Sequence, residues 1–345
     1  MISFIIPAYN VERYIIRTLV SVMHQQEDDY EIIIIDDGST DNTYSVVQEF
    51  INDDNRHRIK LINQTNSGVC SARNRGLAVA SGEYVIFLDA DDYVAMNLIE
   101  VIKDSLIRTR PDILCWGYNI VRGNEILMEY TDRFDLSYVE MTGKTALEEI
   151  YIKRRKRIVI GNAAYRKDFL SHNNLEFTVG CSNGEDQEFI IKSLAQANLV
   201  VFLPQILFFY VQREDSISYN YNPKKFEAID AVERAVNYIK KNCGHEIVNV
   251  TSFFEDDIMI ENYMYNYYSS LEYIVNNKKL PIRKAIKYLN DDLNRQIPGL
   301  SKKMKRIMKK SNTTNTKLKI RLACFRISPI LYYWIIRISN QSFWI

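Results

Sequence analysis

The alternation of short apolar runs with amphipathic segments predicts an α/β protein built on a mostly parallel central sheet, with a helical extension behind it. Three observations carry this. Residues 3–7, 31–35 and 84–88 are strand-length segments that are apolar throughout but for Ser3 and Glu31 at their starts, one with four isoleucines in succession. Runs of that kind leave neither face for water and read as strands buried on both sides. Each is followed, after a short link, by apolar residues at helical spacing, which is the pattern of strand–helix–strand units. Beyond Pro223 only helical periodicity remains. The chain therefore divides near residue 222, into an α/β part (1–222) and a helical part (223–345).

The elements follow in order. Pro7 ends the first strand, and 11–25 is a helix with Ile15, Leu19, Val22 and Met23 on one face. The second strand runs into Asp36-Asp37-Gly38-Ser39. Thr40 or Asp41 can cap the next helix, which carries Tyr44, Val47 and Ile51. Residues 58–62 form a third strand, 63–68 a polar loop, and 69–80 a helix with Gly82 beyond its end. The strand at 84–88, a helix over 95–109 and a strand over 112–119 complete the unit. Residues 123–135 read as a hairpin or loop and 142–151 as a helix. The five bases at 153–157 read as a solvated loop. A loop of small residues at 180–184 opens a helix over 185–196, and 199–203 and 207–212 are apolar strands. Helices over 224–241, 251–275 and 281–293 make up most of the extension.

With 47% apolar and 25% charged residues in 345, the chain can bury a substantial core. Its net charge of +1 is unevenly placed: residues 301–345 hold 11 bases and no acid, leaving a net of −10 on the rest. An acidic body argues against nucleic acid as a partner. The basic tail, with Tyr332, Tyr333, Trp334 and Trp344 near it, fits either peripheral contact with an anionic membrane or a helix packed on the body with its bases solvated. Five scattered cysteines without metal-ligand spacing point to a reducing, cytoplasmic setting. No segment reaches the roughly 18 apolar residues of a membrane span.

The chemistry gathers at strand ends. In open α/β sheets ligands bind outside the carboxyl ends of the strands. Residues 7–10, Asp36-Asp37, residues 63–68 and Asp89-Ala90-Asp91-Asp92 all fall there. Three carboxylates within four positions repel one another, so the fold must gain something that offsets the repulsion. Two accounts are open: a divalent cation on oxygen ligands, or a solvated acidic turn that caps the next helix. Asp89 and Asp91, two positions apart in extended chain, would point the same way.

The segments Phe4-Ile5-Ile6-Pro7-Ala8-Tyr9-Asn10, Ile35-Asp36-Asp37-Gly38-Ser39, Asn66-Ser67-Gly68 with Ala72-Arg73-Asn74, Asp89-Ala90-Asp91-Asp92 and Gly184-Glu185-Asp186 occur in an order that resembles glycosyltransferase family 2. The resemblance covers residues 1–220. It implies the GT-A fold and an inverting transfer from a nucleotide-sugar donor, UDP-linked, to a hydroxyl of a glycan or lipid-linked acceptor, in making surface polysaccharide or glycolipid. It also implies roles. Pro7, Ala8, Tyr9 and Asp37 would hold the nucleoside, Tyr9 by stacking and Asp37 by accepting from a base N–H. Asn66 and Gly68 belong to the same donor site, and Arg73 and Asn74 would lie by the diphosphate. Asp91 would ligate Mg²⁺ or Mn²⁺, Asp89 would contact ribose or metal, and Ala90 between them belongs to the donor site. Asp186 would be the general base. Arg213 and 216–218 match a segment that can fold over the diphosphate. The plainer alternatives are a core Tyr9, a turn-capping Asp37, a solvated Arg73, and a Glu185-Asp186 pair that serves only the helix dipole.

There are departures. Ala163 and Ala164 stand where the family often has Lys or Trp, and there is no Q-x-x-R-W motif, which argues against a processive polymerase. A phosphohydrolase of the haloacid dehalogenase type would want its D-x-D after the first strand. A nucleotide-sugar pyrophosphorylase would want a Gly-rich basic loop where Pro7-Ala8-Tyr9-Asn10 stands. A non-catalytic sugar-binding protein would be expected to lack Asp91 or Asp186.

Overall fold

The computed structural model describes residues 1–52, 58–213 and 221–338. It divides into two compact units, Met1–Arg213 and Glu214–Ile345. The first opens with β1 (Ile2–Ala8), α1 (Ile15–Met23), β2 (Tyr30–Asp36), α2 (Thr43–Asn52), β3 (Ile59–Asn63), α3 (Val69–Val79) and β4 (Tyr84–Phe87). It continues with β5 (Tyr93–Val94), α4 (Leu98–Arg108), β6 (Ile113–Arg122), β7 (Glu125–Met128), β8 (Val139–Met141) and α5 (Gly143–Leu147). Last come β9 (Ala163–Arg166), α6 (Lys167–His172), α7 (Glu185–Gln196) and β10 (Val200–Val211).

The strands form one sheet in the order β3-β2-β1-β4-β9-β6-β10-β5, with β7 beside β6 and β8 beside β10. β3, β2, β1 and β4 are mutually parallel. Their carboxyl ends therefore share one edge. β6 and β10 are also parallel, but β9 enters antiparallel between β4 and β6. The sheet is thus mixed. β1, β2 and β4 are buried along almost their whole length, as their unbroken apolar runs require. α3 lies close against β1. A Cβ on Gly76 would sit 2.3 Å from Ile5 Cγ2, so only glycine lets the helix approach this far.

Pro7 lies inside β1, opposite Ile35, rather than ending the strand, and three further local readings differ from the structure. The segments 199–203 and 207–212 are one strand, β10, which shifts register between Phe202 and Ile206 because Pro204 has no N–H for the ladder. β9 carries no strand signal, since alanine has little strand preference; Ala163 and Ala164 are wholly buried. That also removes them from any surface where an acceptor could touch them. The basic run is only partly solvated. Lys156 is buried, donating to the carbonyls of Asp135 (2.7 Å) and Ser137 (3.0 Å), while Lys153 and Arg155 pair with Glu149.

The second unit is helical: α8 (Glu227–Asn242), α9 (His245–Phe253), α10 (Met259–Asn277), α11 (Ile282–Gln296), α12 (Leu300–Lys310), α13 (Thr316–Ile327) and α14 (Pro329–Ile338). Its core lies along α10. Phe325 of α13 meets Tyr263, Tyr267 and Tyr332 edge-on at 6.0, 5.2 and 5.3 Å. Tyr332 and Tyr333, expected at an interface, are fully buried here, and the Tyr332 hydroxyl donates to the Met264 carbonyl. Trp334 is exposed. Trp344 lies outside the described residues.

Candidate active site

The site is built where β1, β2, β3 and β4 end. Two loops there are laced together. Asn10, at φ 53°, accepts from the Thr40 N–H (2.8 Å). The Val11 N–H donates to the Thr43 hydroxyl (2.8 Å), and Glu12 accepts from the Asn42 N–H (2.9 Å). This fixes Tyr9, which stands 48% exposed at the mouth of the loop rather than in the core. Pro7 is half-buried and Ala8 buried, with the Ala8 carbonyl accepting from the Asp37 N–H.

Asp37 organises the neighbouring loop. Its carboxylate accepts from Gln64 Nε2 (2.7 Å), the Ser67 N–H (2.9 Å) and the Gly68 N–H (2.8 Å). Two of these are backbone donors at the start of α3, where a carboxylate meets both orphan N–H groups and the positive end of the helix dipole. Asn66 is exposed at the loop's tip. Asn74 is occupied otherwise: it pairs with both backbone groups of Phe177, donating to its carbonyl and accepting from its N–H, each at 2.9 Å. It therefore positions the segment that leads to α7.

α3 also delivers Arg73, and here the structure departs from a solvent-facing phosphate ligand. The side chain is buried, its guanidinium 5.0 Å over the Phe177 ring. Nη2 donates to Asp89 (2.7 Å) and Nη1 to Asp186 (2.5 Å), with Glu185 at 3.7 Å. One cation thus joins the end of β4 to the start of α7. Gly184, at φ 82°, turns the chain so that Glu185 and Asp186 form the first turn of α7. Asp186 is 36% exposed, so its carboxyl meets both Arg73 and the cleft. Burial pushes its pKa up to about 7; Glu185 and Asp89 add to the rise and Arg73 opposes it.

The acidic turn is held from two sides. The Thr18 hydroxyl lies 2.9 Å from the Ala90 carbonyl oxygen and 2.6 Å from that of Asp92, and Arg17 donates to the Asp91 carbonyl (2.6 Å). Ala90 and Asp92 are buried, and Asp92 accepts from the Val211 N–H (2.8 Å). Asp91, 22% exposed, pairs with Arg213 at 2.9 Å. Burial and the charge of Asp89 raise the Asp91 pKa, against the pull of Arg213. Sequence reasoning missed Arg17 and Thr18. The available signal was Thr18 on the buried face of α1, a polar side chain among Ile15, Leu19 and Val22. Residues 216–218 lie outside the described residues.

These carboxylates fit a hard divalent cation. Asp91 is reachable, is an oxygen donor, and carries a charge that its surroundings disfavour. Among the described residues no group of three or more His, Cys, Asp or Glu is placed to hold a metal ion by itself. Mg²⁺-type sites need none, since they use one or two carboxylates and take their other oxygens from substrate phosphates. The cysteines play no part: Cys70 is buried, with its thiol pKa pushed up to about 12, and no cysteine is in a disulfide.

The sequence model of the family described as Glycosyl transferase family 2 matches residues 3–173. The glycosyltransferase GlyA of Streptococcus pneumoniae is 29% identical over 71% of this chain, which spans 35% of GlyA. The glycosyltransferase EpsJ of Bacillus subtilis is 28% identical over 63% of each chain. Thus the match spans about a third of the first relative's length and under two thirds of the second's. Among solved structures, residues 1–349 of Staphylococcus aureus TarS with UDP-GlcNAc superpose with a TM-score of 0.64, covering 99% of this chain and 91% of that one at 22% identity. On its motif order, its mixed sheet and the family match, the N-terminal unit belongs to glycosyltransferase family 2.

Proposed function

We propose that the protein is an inverting, metal-assisted glycosyltransferase that moves a sugar from a UDP-linked donor to a hydroxyl of a glycan or lipid-linked acceptor in surface-polysaccharide or glycolipid synthesis, at the cytoplasmic face of the membrane. The observation that carries this reading is the gathering of Asp89, Arg73 and Asp186 into one bonded cluster beside Asp91. The TarS structure with UDP-GlcNAc supports a UDP-linked donor.

Each residue then has a task. Tyr9 offers an exposed ring for a base to stack on, between loops that hold it still. Asp37 is held by three donors and keeps the Asn66–Gly68 loop in place as the nucleoside's other wall; a fourth lone pair of its carboxylate can take a base N–H. Asp91, with Asp89 beside it, would hold Mg²⁺ or Mn²⁺, whose chemistry when bound is to neutralise charge on the departing diphosphate. Asp186 takes the proton of the acceptor hydroxyl as that oxygen attacks the anomeric carbon from the face opposite the leaving group. A base with pKa near 7 suits that step. About half of it is unprotonated at pH 7, and it holds a proton better than an ordinary carboxylate.

The test is donor hydrolysis and transfer across a panel of nucleotide sugars, with Mn²⁺ and with chelator. Chelator-sensitive turnover of a UDP-sugar, abolished in Asp91→Asn, is the expected result. Turnover untouched by both chelator and Asp186→Asn would overturn the reading.

A further inference from the structure

The last two helices carry a second apolar surface that packing inside their unit leaves exposed. On α14 the buried residues are Tyr332, Tyr333 and Ile336. Leu331, Trp334, Ile335 and Ile338 are exposed, and their spacing of three, four and seven places them on one helical face. On α13 the exposed residues Ile320, Ala323 and Ile327 fall on one face by the same rule. The large members of these stripes are 37% to 79% exposed. A stripe of this kind, repeated on two successive helices, exceeds the scattered surface apolar residues of an ordinary soluble unit.

Within residues 301–345 the charges beside the stripes are all basic, although Glu272 of α10 acts on Tyr333 from the buried side of α14. Lys319 and Arg326, seven apart, stand one position before Ile320 and Ile327, with Leu322 buried between them and Arg326 donating to the Met308 carbonyl. A basic rail therefore runs alongside the apolar one, about 100° round the helix. Lys319 and Arg326 line a polar cavity of about 400 Å³ with Ser311, Asn312, Thr313 and Leu322. Arg337 stacks against Trp334, its guanidinium 5.5 Å from the ring. Lys303 is engaged inside the unit, bonded to Asp230 and Glu233. Lys305, Arg306, Lys309, Lys310, Lys317 and Lys319 are exposed, and residues 301–345 contain no acid.

The geometry points to a docking surface on α13 and α14 for an anionic phospholipid bilayer. The stripes enter the headgroup–acyl boundary, Trp334 sits at the interface, and the rail faces lipid phosphates, with the Lys319–Arg326 cavity as a headgroup seat. The occupant follows from the charge pattern. A protein partner matches charges point by point, whereas a run of single-sign, flexible side chains around an exposed apolar stripe complements a diffuse negative plane. The inference deepens the proposed function, because it would bring the transferase to a lipid-linked acceptor, but it stands on the second unit alone.

The experiment is co-sedimentation of the full chain with phosphatidylcholine vesicles, plain or with about a third phosphatidylglycerol, at low and high salt. The wild type should bind only the anionic vesicles and lose binding as salt rises. Lys317→Glu with Lys319→Glu should weaken binding at least about tenfold, since each base near the surface contributes about fivefold. Leu331→Ser with Trp334→Ser and Ile338→Ser should do so by about as much at any salt. All these side chains are exposed, so the fold is retained, and UDP-sugar hydrolysis should stay at the wild-type level. Equal binding to both vesicle types, or binding unmoved by either set, would overturn the inference. A Trp334-dependent dimer in light scattering without vesicle binding would overturn it too. Inactive protein that still binds anionic vesicles would count against the transferase reading while supporting this one.

Discussion

Arg73 Nη1 lies 2.5 Å from Asp186, and the same guanidinium holds Asp89 through its other amino group. The proposed base is thus half engaged by a cation, yet burial still pushes its pKa up to about 7. The sign of the pH dependence follows. A base must be unprotonated to accept a proton, so kcat/KM for transfer should fall as pH drops below about 7 and level off above it. An ordinary carboxylate would keep the rate flat down to about pH 5. Asp186→Asn should lower kcat by about 10²–10⁴-fold with donor affinity nearly unchanged. A flat acidic limb in the wild type would remove Asp186 from the role.

Arg73 itself is expected to matter twice. Arg73→Met leaves Asp89, Asp186 and Glu185 without their shared cation, and since Asp89 and Asp186 reach solvent this should cost about 1–3 kcal/mol in a denaturant titration. Arg73→Lys keeps the charge but not the fork, so it cannot hold both carboxylates in fixed geometry. It should fold, bind donor, and transfer slowly, with the acidic limb of the pH profile moved to higher pH because Asp186 loses part of its stabilising partner. A Lys variant with normal kcat and an unmoved limb would show that Arg73 only fills space.

What the sequence made legible was the edge. Buried runs such as Ile32–Ile35 must be central parallel strands, and parallel strands bring their ends together, so Asp37 and Asp89 could be placed in one cleft without coordinates. What it hid were side chains whose partners come from far along the chain. Arg73 reads as a surface base on a weakly patterned helix until Asp186 and Asp89 are seen around it. Lys156 is likewise buried by carbonyls at 135 and 137, and Asn74 is claimed by the backbone of Phe177. β9 was illegible for another reason. Two alanines have no strand preference, and what makes them a strand is backbone pairing with β4 and β6 on either side. The tail's Tyr332 and Tyr333 look interfacial in composition, but helical phase turns them inward and turns Leu331 and Trp334 out.

The metal reading makes its own demand. Asp91 is paired with Arg213 and its pKa is raised by burial and by Asp89, so a divalent cation would relieve a charge the fold disfavours. Titrating Mn²⁺ into the protein with UDP should give binding that Asp91→Asn weakens at least tenfold, on the order of one lost carboxylate ligand. Asp92→Asn should act differently. Asp92 is buried and bonded to the Val211 N–H, so its loss should affect stability more than Mn²⁺ affinity. Equal Mn²⁺ affinity in wild type and Asp91→Asn would place the cation elsewhere.

Gly184 separates placement of the base from stability of the fold. Its φ of 82° is a conformation that a Cβ penalises by roughly 1–2 kcal/mol. Gly184→Ala should therefore lower the melting temperature by a few degrees. The strain is relieved most easily by rotating the first turn of α7, which moves Asp186 off Arg73 and off the acceptor position. Activity should consequently drop by one to two orders of magnitude, on the order of what a displacement of about 1 Å costs. Gly123, at φ 58° with open space around its Cβ position in the β6–β7 hairpin, provides the control. Gly123→Ala carries similar backbone strain and should lose similar stability, but it should transfer sugar at nearly the wild-type rate. Matching activity losses in the two variants would mean that the left-handed turn before α7 serves folding alone.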